Sequence, residues 1–292
     1  ETARGIPSAV AVVRPAEYTE VLRPFVARAF ATGIAQSHAD IGPMAIVEAP
    51  DGSILVSGGT SRNEIYRFDI GGGTAGQPLA ELDYPIFNMA FDADGRLWAT
   101  TGGGPLLELD PTTGEVLHQY ADGITVALAV EPATGLIYVS TSTGVDRFDP
   151  ATGTFAHYSR DGNLRAGSLA FDAAGALWAT TWPDRELVIR FNDQARAETM
   201  LSFDADVDSI AFGQRGTSLE GLMVVSHVEG PAAGAASVSR TGSELTLVDL
   251  ATLQQLAVAA GGTRGDVVLT TSDGRILVSQ SHQVDVLCPA SA

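Results

Sequence analysis

The densest grouping of chemically capable side chains is Asp204-Ala-Asp206-Val-Asp208. In an extended segment alternate residues share a face, so three carboxylates would point the same way. Oxygen ligands of that kind suit a hard cation, Ca2+ or Mg2+. The spacing opens like a calcium loop. However, Ser209 stands where the sixth position needs Gly, and Arg215 where the twelfth needs Glu, which rejects an EF-hand. Further along, His227-Val-Glu229 pairs an imidazole with a carboxylate, the pairing a general base requires. It opens a Gly-, Ala- and Ser-rich loop over 227–241, and a loop of that length marks function or disorder. The plainer alternatives are a solvated acidic turn for the first cluster and a solvated loop histidine for the second.

Other chemistries are excluded by what the chain lacks. All 17 basic residues are Arg, so Schiff-base chemistry, a P-loop lysine and a Ser–Lys pair are ruled out. The single cysteine, Cys288, permits neither an intrachain disulfide nor a Cys-pair zinc site, so His-x-Glu does not extend to a zinc deaminase. There is no Gly-x-Ser-x-Gly elbow and no His-Glu-x-x-His. Gly71–Gly73 and Gly102–Gly104 lack a following Lys or helix and read as loops. A net charge of −18 repels phosphate backbones, so no nucleic-acid partner is expected. The same charge attracts divalent cations and suits an extracellular or cell-surface location, the periplasm included. No apolar run approaches the roughly eighteen residues of a membrane span, and no signal-peptide pattern is present, so membrane insertion is not expected. A chain beginning at Glu1 reads as a mature form or a piece of a longer, bacterial protein.

The elements that position these residues are repeated. Asn88-Met-Ala-Phe-Asp-Ala-Asp-Gly-Arg-Leu-Trp-Ala-Thr-Thr101 returns as Ser168-Leu-Ala-Phe-Asp-Ala-Ala-Gly-Ala-Leu-Trp-Ala-Thr-Thr181. Weaker copies begin near Met44, Ala127, Ser209 and Asp266. The anchor residue runs Ala45, Ala90, Ala129, Ala170, Ala211, Val268, with a spacing of about 40 residues and a longer last step. Each copy holds a short apolar strand, an Asp-Gly-type hairpin and a second strand ending in Ser or Thr. A third strand ends in Asp, and a turn such as Asp110-Pro-Thr-Thr-Gly114 leads to a fourth. Six four-stranded antiparallel units at this period predict one all-β domain over 1–292, a six-bladed β-propeller. Blades start near 42, 87, 126, 167, 208 and 265. The sixth copy ends after its third strand, so the N-terminal 1–35 is expected to supply a closing strand, from Ser8–Val13 or Phe25–Phe30.

The Gly-x-Leu-Trp-x-Thr and Asp-Pro-x-Thr-Gly strings resemble those of a broad six-bladed group. It includes NHL-type propellers, virginiamycin B lyase and the regucalcin/gluconolactonase family, and the resemblance covers about residues 36–288. For a gluconolactonase-like protein it implies metal-binding Glu, Asn and Asp three residues before the anchor. That column reads Gly42, Phe87, Val126, Gly167, Asp208 and Gly265, matched at Asp208. For a virginiamycin B lyase-like protein it implies a Glu after the second strand. That column reads Gly58, Thr101, Thr141, Thr181, Ser226 and Gln280. Neither catalytic pattern is reproduced, and a propeller is a scaffold that does not by itself set function.

The fold carries ligands at the face where first strands begin and second strands end. Asp40, Asp83, Asp122, Asp161, Asp206 and Asp266 fall in the loops that lead there. The metal candidates are therefore Asp204, Asp206, Asp208 and Asp266, with His227 and Glu229 as catalytic candidates. Asn88 and Trp182 are the ligand-contacting candidates. Three functions follow in order: a non-catalytic binding module of a larger secreted or surface protein; a metal-dependent lyase or lactonase-like hydrolase at an acidic mouth; and a calcium-stabilised module. The expected partner is a protein, glycan or small molecule at the channel mouth, bound by a monomeric domain.

Overall fold

A computed structural model describes residues 14–38, 40–162, 164–182, 186–228 and 242–289. Six antiparallel sheets stand around one axis. Blade 1 is Ile46–Glu48, Ile54–Gly58, Glu64–Phe68 and Ala80–Glu81. Blade 2 is Asn88–Phe91, Leu97–Thr100, Leu106–Leu109 and Val116–Tyr120. Blade 3 is Ile124–Val130, Ile137–Thr141, Gly144–Asp149 and Thr154–His157. Blade 4 is Arg165–Phe171, Leu177–Trp182, Leu187–Phe191 and Ala197–Ser202. Blade 5 is Val207–Phe212, Leu222–Val228, Ser243–Asp249 and Gln255–Gly262, with Glu20–Val21 added at its outer edge. Blade 6 has Val268–Thr270, Ile276–Ser279 and Gln283–Pro289; its outer strand comes from the other end of the chain, where Phe25–Thr32 pairs antiparallel with Gln283–Pro289. Gly73–Thr74, reaching over from blade 1, pairs in parallel with the end of that strand. The segment Ser8–Val13 lies outside the described residues.

The repeated strings have structural causes. In Phe-Asp-x-x-Gly-x-Leu-Trp, the Asp side chain organises the hairpin. Asp92 Oδ1 accepts from the amides of Asp94 and Arg96 at 3.0 and 2.9 Å, and Oδ2 accepts from Trp98 Nε1 at 2.9 Å. Asp172 does the same for Ala174, Ala176 and Trp178. The aspartate thus satisfies the one polar atom of a tryptophan buried between blades. In Asp-Pro-x-Thr-Gly, Asp110 Oδ1 accepts from the amides of Thr112 and Thr113, both at 2.8 Å, and Gly114 takes φ +76°, a conformation that suits Gly. These backbone donors hold the Asp110 carboxyl below the usual carboxylate range.

Among the described residues no hydrophobic cluster crosses the axis. Each of the six packs one blade against the next. Alternation along the strands explains this: in Ile54–Gly58, Ile54 and Val56 face blade 6 while Leu55 faces blade 2. The core is therefore six wedges, and the innermost strands surround a central channel.

Candidate functional site

The innermost strands all run the same way along the axis. Their starting ends, with the loops between second and third strands, form an upper face. Their far ends and the hairpins that follow form a lower face. A cavity of about 750 Å3 lies on the axis and is lined by all six innermost strands. It is bounded near the top by Asn88, Ser168 and Ser209, and lower down by Phe91, Phe171 and Phe212. It reaches the exposed Pro50, Asp51 and Ser272 of the lower hairpins, so it opens on the lower face. Between these levels Ala90, Ala170 and Ala211 keep the bore open by their small size. A second hollow of about 580 Å3, shared by blades 3, 4 and 5, adjoins it through Phe171, Phe212 and Gln214. At the lower rim Glu48 accepts from the Ser272 amide and hydroxyl, both at 2.7 Å, which ties blade 1 to blade 6.

Above the cavity sits a level of hydroxyls. The second strands place Ser57, Thr100, Ser140, Thr180, Ser226 and Ser279 at one position in the six blades, all buried. These are seams between backbones. Ser57 accepts from the Ala45 amide at 3.0 Å and donates to the Ile86 carbonyl of the next blade at 3.1 Å. Thr100 donates to Val126 O at 2.9 Å; Ser140 and Ser279 accept from the amides of Ala127 and Val267 at 2.8 and 2.9 Å. In blades 4 and 5 the innermost strands bulge between Ala166 and Ser168 and between Val207 and Ser209. There the tie passes to the innermost strand: Ser168 accepts from Ile210 N and Ser209 from Val268 N, at 3.4 and 3.2 Å. These hydroxyls face the blade seams.

This register also corrects the sequence alignment in three places. Residues opposite the hydroxyl level are Ala45, Asn88, Ala127, Ser168, Ser209 and Val267. The position just before them is therefore Met44, Phe87, Val126, Gly167, Asp208 and Asp266, not Gly42 and Gly265 in the first and last blades. Asp208 and Asp266 are equivalent residues of adjacent blades. Likewise the position after the hydroxyl level holds His227 in blade 5 rather than Ser226, and Gln280 in blade 6. The hairpins of blades 1, 2, 4 and 6 are equally long, so in blades 1 and 6 the shift comes from anchoring the repeat on Ala45 and Val268 where Val47 and Leu269 match Ala90; in blade 5 the longer hairpin between Phe212 and Met223 hides the level.

The predicted site residues are distributed as follows. Asn88 lines the cavity and accepts from the Met89 amide at 2.8 Å. Asp204 is exposed, while Asp206, Asp208 and Asp266 are half-buried on the upper side, and none of the four lines the cavity. Asp266 is ion-paired with Arg264. Among the described residues no three His, Cys, Asp or Glu side chains come together as a metal-ligating set, so the triad read from Asp204, Asp206 and Asp208 is not assembled. His227 is buried against Phe203, their ring centroids 5.2 Å apart. Its Nδ1 is 3.0 Å from the Val228 carbonyl, which can only accept, and its Nε2 is 3.0 Å from Thr246 Oγ1. Both ring nitrogens are thus engaged inside blade 5. Glu229 lies outside the described residues. Trp182 is 44% exposed at the upper end of its strand. The Gly102–Gly104 run spends its amides on blade 3, Gly102 and Gly103 donating to Thr125 O and Ile124 O, as a loop and not a phosphate cradle.

One buried acid escaped the sequence reading. Asp285, fully buried in blade 6, accepts from the amides of Glu17 and Tyr18 at 2.7 and 3.3 Å and from Gln283 Nε2 at 2.7 Å. Burial pushes its pKa up to about 7 against the pull of those donors, and the nearby Glu17 charge adds to the rise. It anchors the segment before the outer strand of blade 6. Its signal in the sequence is a lone Asp inside the apolar strand Gln283–Pro289.

Comparison with solved structures places this geometry among known folds. A protein given the name gluconolactonase superposes with a TM-score of 0.67 at 15% identity, covering 91% of this chain and 93% of that one. Streptogramin B lyase superposes with a TM-score of 0.60 at 13% identity, covering 90% and 97%. The chain is a six-bladed propeller of their fold. No family model and no curated protein matches its sequence. At these identities the likeness extends to architecture alone.

Proposed function

We propose that this propeller binds a small amphipathic molecule in its central channel, entering from the lower face. The cavity carries the reading: about 750 Å3 is within the range of ligand sites. Its polar groups lie at both ends, Asn88, Ser168 and Ser209 at the inner end and Glu48, Asp51, Gln214 and Ser272 towards the opening, with Phe91, Phe171 and Phe212 lining the lower bore. A ligand with an apolar body and polar groups at its ends matches that arrangement. The acidic, lysine-free composition supports work outside the cell, as a module of a larger secreted or surface protein. The test is a thermal-shift screen of lactones, short glycosides and peptide esters, confirmed by native mass spectrometry. A hit must bind one to one and be lost in Ala170→Phe, which fills the bore; binding that survives Ala170→Phe refutes the channel.

A second reading is favoured by one observation. Asp208 and Asp266 occupy equivalent upper-face positions in adjacent blades, and both structural neighbours bear enzyme names, a gluconolactonase and a streptogramin B lyase. On this reading the pair contributes to holding Ca2+ or Mg2+ for a lyase or hydrolase. A melting curve in excess EDTA, then with each ion restored, tests it. An ion that raises the melting point in the wild type and not in Asp208→Ala supports the pair, and superimposed curves dismiss it.

A further inference from the structure

The axial cavity is polar in opposite senses at its two ends. Three ladder positions past the hydroxyl level, the innermost strands place Glu48, Phe91, Val130, Phe171, Phe212 and Thr270 opposite the second strands. All six line the cavity, and Glu48 is the one charged residue among them. In a ring of six blades it stands next to Phe91 and across the axis from Phe171. Its oxygens accept from the amide and hydroxyl of Ser272, both neutral donors. None of the ion pairs among the described residues includes it. No Arg or His lines the cavity. Arg67, near the mouth, is paired with Asp51, and Arg215 lines the adjoining hollow, where it donates to Ala173 O at 2.7 Å.

The rings at this level are held in place from behind. Phe171 meets Tyr138 edge-on with centroids 5.1 Å apart, and Phe212 meets Trp178 in the same way at 5.7 Å. A carboxylate set among phenyl rings attracts an organic cation and repels an anion. The carboxylate supplies the opposite charge, and the rings supply the negative pole of their quadrupoles. A hard metal ion is not served, because it needs several oxygen ligands and one carboxylate is present.

The inner end is built of donors. Asn88 Oδ1 is taken by the Met89 amide at 2.8 Å, so the amide nitrogen is what Asn88 has left to offer. Ser168 and Ser209 accept from Ile210 N and Val268 N, so each retains its own proton to give. Among the described residues none of these three donors has an acceptor. Such a set suits a carbonyl or ether oxygen. Three residues separate the two levels, about 10 Å along a strand.

Resting on the channel reading above, we propose that the ligand is an organic amine bound as its cation. Its ammonium group lies at Glu48 among Phe91, Phe171 and Phe212, and its apolar body fills the alanine-lined bore. An oxygen at its far end accepts from Asn88, Ser168 and Ser209. Peptide esters, among the classes named above, have both ends.

The experiment is calorimetric titration of the full chain with three compounds sharing one body. They are methyl para-aminomethylbenzoate, a cation, and its neutral hydroxymethyl and anionic carboxymethyl counterparts. The amine is expected to bind about tenfold more tightly than the alcohol, with the acid weakest. About 0.5 M salt screens the general pull of the acidic surface and should leave that ratio in place. Glu48→Gln should bring the amine level with the alcohol. Phe171→Leu should weaken the amine more than the alcohol, by about threefold, and carries the test alone should Glu48→Gln fail to fold. Equal affinities for amine and alcohol overturn the proposal, as does a preference that salt abolishes or that survives Glu48→Gln; the channel still stands if Ala170→Phe abolishes the binding. Binding that survives Ala170→Phe overturns both. Binding of none of the three overturns the amine, and the channel is then decided by the thermal-shift screen.

Discussion

Asp285 makes stability depend on pH in an unusual direction. Burial pushes its carboxyl up to about 7 in the folded chain, against the ordinary aspartate value of 3.8 that the unfolded chain restores. The native state therefore keeps a proton that the unfolded state gives up. This acid's contribution is fully present below about pH 4 and is lost as pH rises towards 7. Integrating between about pH 5 and pH 8 gives a loss of about 2.5 kcal/mol. For a chain of this size that is of the order of 5–10 °C in melting temperature. The perturbation is Asp285→Asn. Its carbonyl can still accept from Glu17 and Tyr18, but its amide meets Gln283 Nε2, which is held by the Pro15 carbonyl at 3.0 Å. The variant is expected to be less stable overall and, decisively, to lack the slope. Asp51, Asp110, Asp249 and Asp273 do not confuse the window, because their pKa values are lowered and their contributions fade only below about pH 4. Repulsion arising from the −18 charge is shared by both proteins and cancels in the comparison. The assay is urea unfolding of wild type and variant across about pH 5–8. Parallel profiles would refute the reasoning and mean that the three donors keep Asp285 ionised throughout.

Four further outcomes are expected. Asp92→Ala strips partners from two amides, the Arg96 guanidinium and Trp98, and should cost about 2–4 kcal/mol. In urea titrations the exposed Asp51→Ala should cost only about 0.5 kcal/mol. Ser57→Ala leaves the Ala45 amide unpaired in a seam and should cost about 1–3 kcal/mol by the same method, despite removing a single oxygen. Deleting the chain through Thr32 uncovers the Gln283–Pro289 edge and should produce concentration-dependent aggregation by light scattering, whereas a deletion ending before Arg14 should spare the described pairing.

Periodicity and local turn chemistry were enough to read six blades from the amino-acid string. Strand alternation, the aspartate-capped tryptophan hairpin and the Asp-Pro-x-Thr-Gly turn are interactions between residues a few positions apart, so they leave regular marks at every copy. The level at which blades face one another is not local. In blades 1 and 6 several small apolar residues in a row, Ala45 to Val47 and Val267 to Leu269, fit the repeat's anchor equally well, and only pairing across the sheet reveals that Asp266 matches Asp208 and that His227, not Ser226, follows the hydroxyl level. The same limit governs the candidate site. An Asp-x-Asp-x-Asp string specifies a shared side of a strand, but whether carboxylates converge depends on neighbouring blades, and here they do not assemble a ligating set among the described residues. The hydroxyls that end the second strands are legible as a pattern, but their burial is decided by the neighbouring blade, to whose backbone Ser57 and Thr100 donate. Asp285, Tyr18 and Gln280 are separated by up to 267 positions along the chain, a distance that no motif spans, and become one network only when the N-terminal strand lies down on the last blade.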